Sequence, residues 1–324
     1  MSNRWTRRKF LERMAHVAGA ITVGTTVGYR PVSGTSALPQ RTLGRTGAKI
    51  SILGLGLGPL GIANYSPAAV EKVVTAALDL WGGVVYLDVQ PDYGDAEPNL
   101  APLLLRRRQD IFIATKTWEQ SESAVMASVQ ESLRRLKVSD VDAILLNNIG
   151  MFDFERLFRP DGALAGLKKA QKQGLVRYIG ISGHMGTSAF VQALESGEFD
   201  IVMPVVNFVD RHTYNFEEQV LPIAAKHNVG IVAMKVLGGA VSWDYSTRSQ
   251  RALLTGNDYQ PAIHYALGVT GVSTAVIGCK TVKEVQSAAE AARSYRPING
   301  KRYAALMARG RELAAQWGEH FGPR

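Results

Sequence analysis

The chain has 324 residues, 46% of them hydrophobic and 20% charged, which is a globular composition with room for one large α/β domain or two smaller ones. Its net charge is +9, but residues 1–37 hold six cations (Arg4, Arg7, Arg8, Lys9, Arg13 and Arg30) against Glu12, so the remainder is near +4. That mild balance, with no basic stripe interleaved with aromatics, argues against a nucleic-acid partner. A single cysteine, Cys279, excludes an intrachain disulfide and any site built on several cysteines. No HExxH-type metal spacing occurs.

Residues 1–37 read as an address rather than as fold. A charged stretch, TRRKFLE, precedes a mildly apolar run from about Met14 to Tyr29, and Thr35-Ser36-Ala37 follows. Charged, apolar and small-residue segments in that order are the layout of a bacterial export signal. The apolar run is rich in Gly, Ala and Thr, too weak for a stable membrane span. Thr6-Arg7-Arg8-Lys9-Phe10-Leu11 resembles the twin-arginine motif. That resemblance implies export through the twin-arginine machinery to the periplasm, of a protein already folded. The alternative is a basic, disordered N-terminus with a chance arginine pair. The lack of paired cysteines suits folding before departure from the cytoplasm.

A single domain over residues 38–324 follows. Gly44 and Thr46-Gly47 are turn residues between short extended pieces, so residues 41–51 form a hairpin. Apolar, β-rich runs then recur at 52–56, 84–88, 111–115, 142–146, 177–182, 201–206, 230–235 and 274–278. Stretches of helical spacing separate them, among them PAAVEKVVTAALDLW and SESAVMASVQESLRRL. Continuous apolar strands alternating with amphipathic helices imply a parallel sheet covered by helices. Eight such units make an α/β fold of the TIM-barrel type, (β/α)8, with a short N-terminal β-hairpin. A doubly wound sheet is disfavoured, because no GxGxxG opens a helix with an acidic residue about twenty positions later. Gly54 to Gly58 has the wrong spacing for a phosphate loop, and Pro59 follows, so the segment is a tight strand exit. Residues 240–259 form a long polar loop of the kind that builds substrate pockets. A last helix spans about 300–318.

Four residues stand at or just after strand ends, where a barrel of this kind places its chemistry: Asp88, Tyr93, Lys116 and Asn147. Taken singly, a strand-end Asp is a cap or turn former and a strand-end Lys reaches for solvent. Together they form a set: a buried lysine needs a carboxylate partner, and a phenol beside a positive charge becomes a better acid.

With D-x4-YG in YLDVQPDYG, T-K in IATKT, and LKVSDVDAILLNN, KKAQKQGLVRYIGIS and ALGVTGVSTAVIG, the chain resembles the aldo-keto reductases over about residues 41–292. The resemblance implies NADP as cofactor and reduction of an aldehyde or ketone by hydride from its reduced form, NADPH, with Tyr93 as proton donor, Lys116 activating it and Asp88 holding the lysine. The family's usual histidine is Asn147 here. Asn can donate to a carbonyl but does not titrate near neutral pH. A branch of potassium-channel auxiliary subunits carries Asn at this place, so a nucleotide-binding, redox-sensing barrel with little turnover is the rival reading.

The resemblance also places the cofactor. Gly56 and Leu57 lie at the first strand exit. Ser182 matches the serine that holds the nicotinamide carboxamide, though Gly183 and His184 follow in place of Asn. Met203 replaces the usual Gln, and Met234 the stacking aromatic; a thioether can lie on a π face. Lys235, Leu237, Gly238 and Gly239 suit a pyrophosphate. Lys280 and Thr281 can meet a phosphate near a helix N-terminus, while the family's adenine-side Glu-Asn pair reads Ala288-Ala289. Trp118 forms a wall of the substrate pocket, and Cys279 is a small core residue. Outside the cytoplasm little NADPH is available to reload the site, so function there calls for a retained cofactor or a redox partner that recycles it.

Overall fold

The computed structural model describes residues 37–239 and 252–322. The chain divides into two units, Met1–Thr35 and Ser36–Arg324. The expected export signal, up to residue 36, lies outside the described residues, as do residues 240–251 of the expected long loop.

Two short strands, β1 (Gln40–Thr42) and β2 (Lys49–Ser51), pair antiparallel around a tight helical turn at Gly44–Thr46. The turn residues that announce the hairpin in the sequence are the ones that make it. Gly44 has φ +46, and a Cβ there would come 2.3 Å from the Gly230 nitrogen, so only glycine fits. Leu43 and Ile50 are fully buried. Arg45 donates to the carbonyls of Gly197 and Phe199, at 2.9 and 2.5 Å, and pairs with Asp200 at 3.1 Å. The hairpin thereby closes the end of the barrel at which the strands begin.

Eight parallel strands follow: β3 (Leu53–Gly56), β4 (Val85–Asp88), β5 (Ile111–Thr117), β6 (Val141–Leu146), β7 (Val176–Gly183), β8 (Ile201–Pro204), β9 (Gly230–Ala233) and β10 (Val272–Gly278). They close in chain order, with β10 beside β3, into the expected (β/α)8 barrel. Helices α1 (Pro67–Trp81), α2 (Ala96–Arg107), α3 (Glu122–Leu136), α4 (Ala163–Lys172), α5 (Thr187–Glu195), α6 (Leu221–Lys226), α7 (Tyr259–Gly268) and α8 (Val282–Arg293) alternate with them; α9 (Gly300–Trp317) follows. In α1, Ser66 caps the start by accepting from Ala69 N at 3.3 Å, with Pro67 at the first helical position. Its buried Val70, Val73, Val74, Ala77 and Trp81 keep helical spacing, and Gly82 at φ +70 ends it.

Registered residues of parallel strands share a face. Tyr86 pairs with Phe112 and Asp88 with Ala114 across β4 and β5, Lys116 with Leu145 across β5 and β6, and Ser182 with Met203 across β7 and β8. This inward set fills the barrel in layers. Tyr86, Phe112 and Tyr178 stack at 5.5 and 6.1 Å between ring centres. Room for them comes from missing side chains; a Cβ on Gly54 would lie 3.2 Å from Tyr86 Cβ. Three strand ends differ by two residues from the apolar runs. β5 continues through Thr117, so Lys116 lies inside the strand, whereas β8 and β9 stop at Pro204 and Ala233. Apolar runs mark burial, not hydrogen bonding; at the end of β5 Lys116 faces the site, while Thr115, on the opposite face, gives its hydroxyl to Glu97 at 2.9 Å.

Beside α7, the carboxyl of Glu217 accepts from the Tyr265 hydroxyl at 2.9 Å, and Arg211 reaches the hydroxyls of Tyr265 and Tyr303 at 3.2 and 2.9 Å. Glu217 Oε2 is buried with no hydrogen-bond partner among the described residues. Burial outweighs the Tyr265 hydrogen bond and the Arg211 charge and pushes the Glu217 carboxyl up from 4.5 to about 7. The folded protein therefore keeps a proton that the unfolded chain releases, and stability falls as pH rises between those values. Glu217→Gln should remove this slope and, in urea unfolding at pH 8, gain up to about 3 kcal/mol over the parent. Equal stabilities at pH 5.5 and 8 in the parent would contradict the assignment.

Candidate active site

The site grows from the ends of β4 and β5. Asp88 closes β4 and Lys116 lies one residue before the end of β5, both pointing inward. The Lys116 Nζ donates to Asp88 Oδ1, and the two residues are 3% and 4% exposed. Burial raises the Asp88 carboxyl above its ordinary range, while Lys116, by charge and hydrogen bond, pulls it back and Lys235 adds a smaller pull.

Two tyrosines stand near the pair. Tyr86 lies two residues below Asp88 on the same face, fully buried in the stacked layer. Its hydroxyl has no hydrogen-bond partner among the described residues, and burial plus the Asp88 charge make it a still weaker acid. It does not line the cleft. Tyr93 does, and the Lys116 Nζ stands 5.3 Å from its ring centre. The Tyr93 loop is fixed by its N–H on the Gln90 carbonyl at 3.1 Å and by contact with Gly61, where a Cβ would come 1.9 Å from the Tyr93 carbonyl oxygen.

Asn147 continues the inward face of β6, its backbone N–H on the Thr117 carbonyl at 2.8 Å. Its amide nitrogen donates to Gln90 Oε1 at 2.9 Å, and its Oδ1 accepts from the Ser182 hydroxyl at 3.2 Å. Asn148, at φ +54, turns its oxygen to His184, accepting from the backbone N–H at 3.3 Å and from ring Nδ1 at 2.8 Å. Because an amide oxygen only accepts, the His184 proton sits on Nδ1. Burial, with the charges of Lys235 and Lys116, holds that imidazole well below its usual range and so neutral.

These groups open into a cleft of about 710 Å³. Trp118, 42% exposed, stands at the mouth with its indole N–H on Asp92 at 2.6 Å. Met203 and Met234 line the cleft, which runs past Lys235, Gly238 and Gly239, then Leu253 to Thr255 and Tyr259, to Gly278, Cys279, Lys280 and Glu284. Behind two of the lining residues, beyond α9, the Phe321 ring lies 5.0 Å from that of His184 and 5.7 Å from the Lys235 ammonium. His320 on Asp210 at 2.8 Å and Tyr214 on the Gly322 carbonyl at 3.1 Å hold that segment down.

The expected residues are thus mostly together. Asp88, Tyr93, Lys116, Asn147, Gly56, Met203, Met234, Lys235, Leu237, Gly238 and Lys280 all line the cleft, as do Trp118 and Cys279. Leu57, Ser182, Gly183 and Thr281 do not. Leu57 is fully buried, with its N–H spent on the Asp88 carbonyl at 2.9 Å. Ser182 serves Asn147 and the Leu146 carbonyl. Gly183 packs on Phe190 and Asn148, and Thr281 caps α8 by accepting from Glu284 N at 3.2 Å. Sequence reasoning missed Gln90, Asp92, Tyr259, Glu284 and Phe321. The only available signal for Gln90 was a polar residue two beyond Asp88, on the same strand parity.

A nicotinamide dinucleotide fits this donor set. Two thioethers offer a polarisable surface for a flat ring, and Lys235 with Gly238, at φ +81, offers charge and open backbone beside it. At the far end the Lys280 N–H already donates to Glu284 Oε2 at 2.6 Å.

A closed (β/α)8 barrel with a lysine–aspartate pair beside a tyrosine, in a cleft suited to a dinucleotide, defines a carbonyl oxidoreductase. The Aldo/keto reductase family model matches residues 52–252, and the chain belongs to that family. It is 24% identical over 281 residues to an L-galactose dehydrogenase of Arabidopsis thaliana, covering 76% of this chain and 85% of the relative. Among solved structures, a putative aldo-keto reductase of Pseudomonas aeruginosa superposes with a TM-score of 0.63 at 25% identity, covering 78% of this chain and 94% of that one. An aldo-keto reductase of Klebsiella pneumoniae in complex with NADPH shares the fold, with a TM-score of 0.64 at 17% identity over 84% and 94% of the two chains. The protein is an oxidoreductase of the aldo-keto reductase type.

Proposed function

We propose that the protein reduces an aldehyde or ketone at the expense of NADPH, with Tyr93 as the proton donor, and that it works in the periplasm after export by the twin-arginine machinery. The observation that carries the chemistry is the buried Lys116–Asp88 pair beside the Tyr93 ring in the cleft. Bound nicotinamide would supply the hydride. The chain's own part is to hold the carbonyl oxygen near the Tyr93 hydroxyl and to stabilise the phenolate left when that proton moves. A fixed cation beside the phenol does so, and the Asp88 carboxylate, which accepts from the lysine ammonium, holds that cation in place. Met203, Met234 and Lys235 would hold the nicotinamide half, and Lys280 the 2′-phosphate end. Trp118, pinned by Asp92, gives the substrate a flat apolar face.

The export reading rests on Thr6 to Leu11 and the apolar and small-residue segments after it. Outside the cytoplasm the nucleotide is retained or recycled by a redox partner. The second reading is a nucleotide-binding regulatory barrel with little turnover. It draws on Asn147, whose amide is engaged on both sides by Ser182 and Gln90.

Tyr93→Phe separates the two readings. Carbonyl reduction should fall by roughly a hundred- to ten-thousand-fold, with NADPH affinity, read by fluorescence titration, unchanged within about twofold. A variant that keeps a third of the activity, or a parent with no measurable turnover on any aldehyde of a broad panel, favours the regulatory barrel. Export is tested by cell fractionation. The parent should be recovered in the periplasm, carrying nucleotide that acid releases, and a variant with both Arg7→Lys and Arg8→Lys should stay in the cytoplasm; cytoplasmic recovery of both rejects the address. The cofactor is tested at Glu284, whose carboxylate occupies the N–H beside which a 2′-phosphate would settle. Glu284→Gln should tighten NADPH about three- to tenfold relative to NADH, and an unchanged ratio of the two dissociation constants places the 2′-phosphate elsewhere.

A further inference from the structure

The family's histidine is absent, and the structure shows what stands around its replacement. Asn147 does not simply face the cleft with a free amide. Its oxygen accepts from Ser182 and its nitrogen donates to Gln90 Oε1, so three side chains from β7, β6 and the loop after β4 form one row. Gln90 is the end of that row on the cleft side. It is 8% exposed, lines the cleft with Asp88, Tyr93 and Asn147, and has its carbonyl oxygen occupied by Asn147. Its other group is an amide nitrogen with two N–H donors. No described residue accepts from that nitrogen. The nitrogen therefore opens to the cleft, which Tyr93 also lines, and its N–H donors are available to a ligand there.

We propose that Gln90 is a catalytic residue whose amide nitrogen donates to the substrate's carbonyl oxygen, and that Asn147 is the positioning residue that fixes which way the Gln90 amide faces. This rests on the reading of Tyr93 as proton donor. As the carbonyl carbon accepts hydride, its oxygen gains negative charge and takes the Tyr93 proton. A neutral N–H aimed at that oxygen stabilises the developing charge without itself transferring a proton. The pair of amides thus takes over the orienting work of an imidazole and removes its titration. The substrates selected are neutral aldehydes and ketones whose carbonyl oxygen meets two donors, Tyr93 and Gln90. A donor at this place also fixes the charge preference: an acceptor there would oppose the oxygen.

The test uses the full chain with NADPH and 4-nitrobenzaldehyde, and the infrared carbonyl stretch of 4-nitrobenzaldehyde bound with NADP⁺, a complex that cannot turn over. In the parent, the stretch should move to lower wavenumber than in water. In Gln90→Leu most of that shift should be lost and kcat should drop by about ten- to a hundredfold, with NADPH affinity unchanged. Gln90→Glu keeps the size and shape, so it guards against a folding defect. It should be active at low pH, where the carboxylic acid donates, and lose activity as pH rises and the carboxylate faces the oxygen. Asn147→Ala should lose part of the same infrared shift, because the Gln90 amide is no longer held. Gln90→Leu with parental kcat and parental carbonyl stretch, or Gln90→Glu as active at pH 8 as the parent, overturns the proposal. If Tyr93→Phe is inactive while Gln90→Leu is not, only this inference fails; if Tyr93→Phe is fully active, the reading beneath it fails as well.

Discussion

Inside a barrel whose strands are otherwise packed with apolar and aromatic side chains, one ammonium meets one carboxylate. Lys116 and Asp88 are both almost fully buried, on adjacent strands and on the same inward face. Removing one member of such a pair leaves the other charge unpaired in a low-dielectric place, which costs about 3–5 kcal/mol. The pair therefore fixes more than a charge. It ties β4 to β5 at the level where the barrel opens, and it sets the height of the site above the stacked layer of Tyr86, Phe112 and Tyr178. Tyr93 can be placed only relative to that ammonium, and Gly61 exists without a side chain because the Tyr93 carbonyl lies where a Cβ would be.

Around the ion pair, the groups next to Tyr93 on the inward face of the barrel are neutral. Ser182, Asn147 and Gln90 form a row of hydroxyl and amides, and His184 is kept neutral by burial and by Lys235 and Lys116. A second acid against Lys116 would have competed with Asp88, and a second base with Tyr93 for its proton; Asp92, the other carboxylate at this end of the cleft, is held instead by the Trp118 indole at the mouth. Neutral hydrogen-bonding groups hold a substrate oxygen without entering either competition.

Much of this was legible in the sequence. Eight continuous apolar runs predicted the eight strands, because both faces of a parallel barrel are covered and burial writes itself as a run. Asp88, Lys116 and Asn147 were legible as polar residues ending such runs, and Gly44 as a turn glycine. What the sequence hid was direction. Ser182 and Thr281 are the residue types that bind a cofactor, yet one hydroxyl is turned to Asn147 and the other caps α8. Gln90 carried only its parity with Asp88 and Glu284 no signal, since a glutamine in a loop and a glutamate on a helix face are ordinary solvated residues until the chain folds them against a cleft. Tyr86 and Tyr93 show the same limit. They are seven positions apart, and only the layer each occupies separates a packing ring from an accessible phenol.

Glu284 bears on how the cofactor comes and goes. At the start of α8 the chain provides its own anion: the carboxylate sits on the Lys280 N–H, and Thr281 caps the helix. When a nucleotide departs, the backbone N–H groups of Lys280 and Glu284 at this end keep partners within the chain. In the binding mode proposed above, the grip on the cofactor therefore falls to the other end, where Lys235, the glycine backbone and the two methionines line the cleft. Tenure and selectivity are thus assigned to opposite ends of one groove, and evolution or an engineer can retune one without disturbing the other.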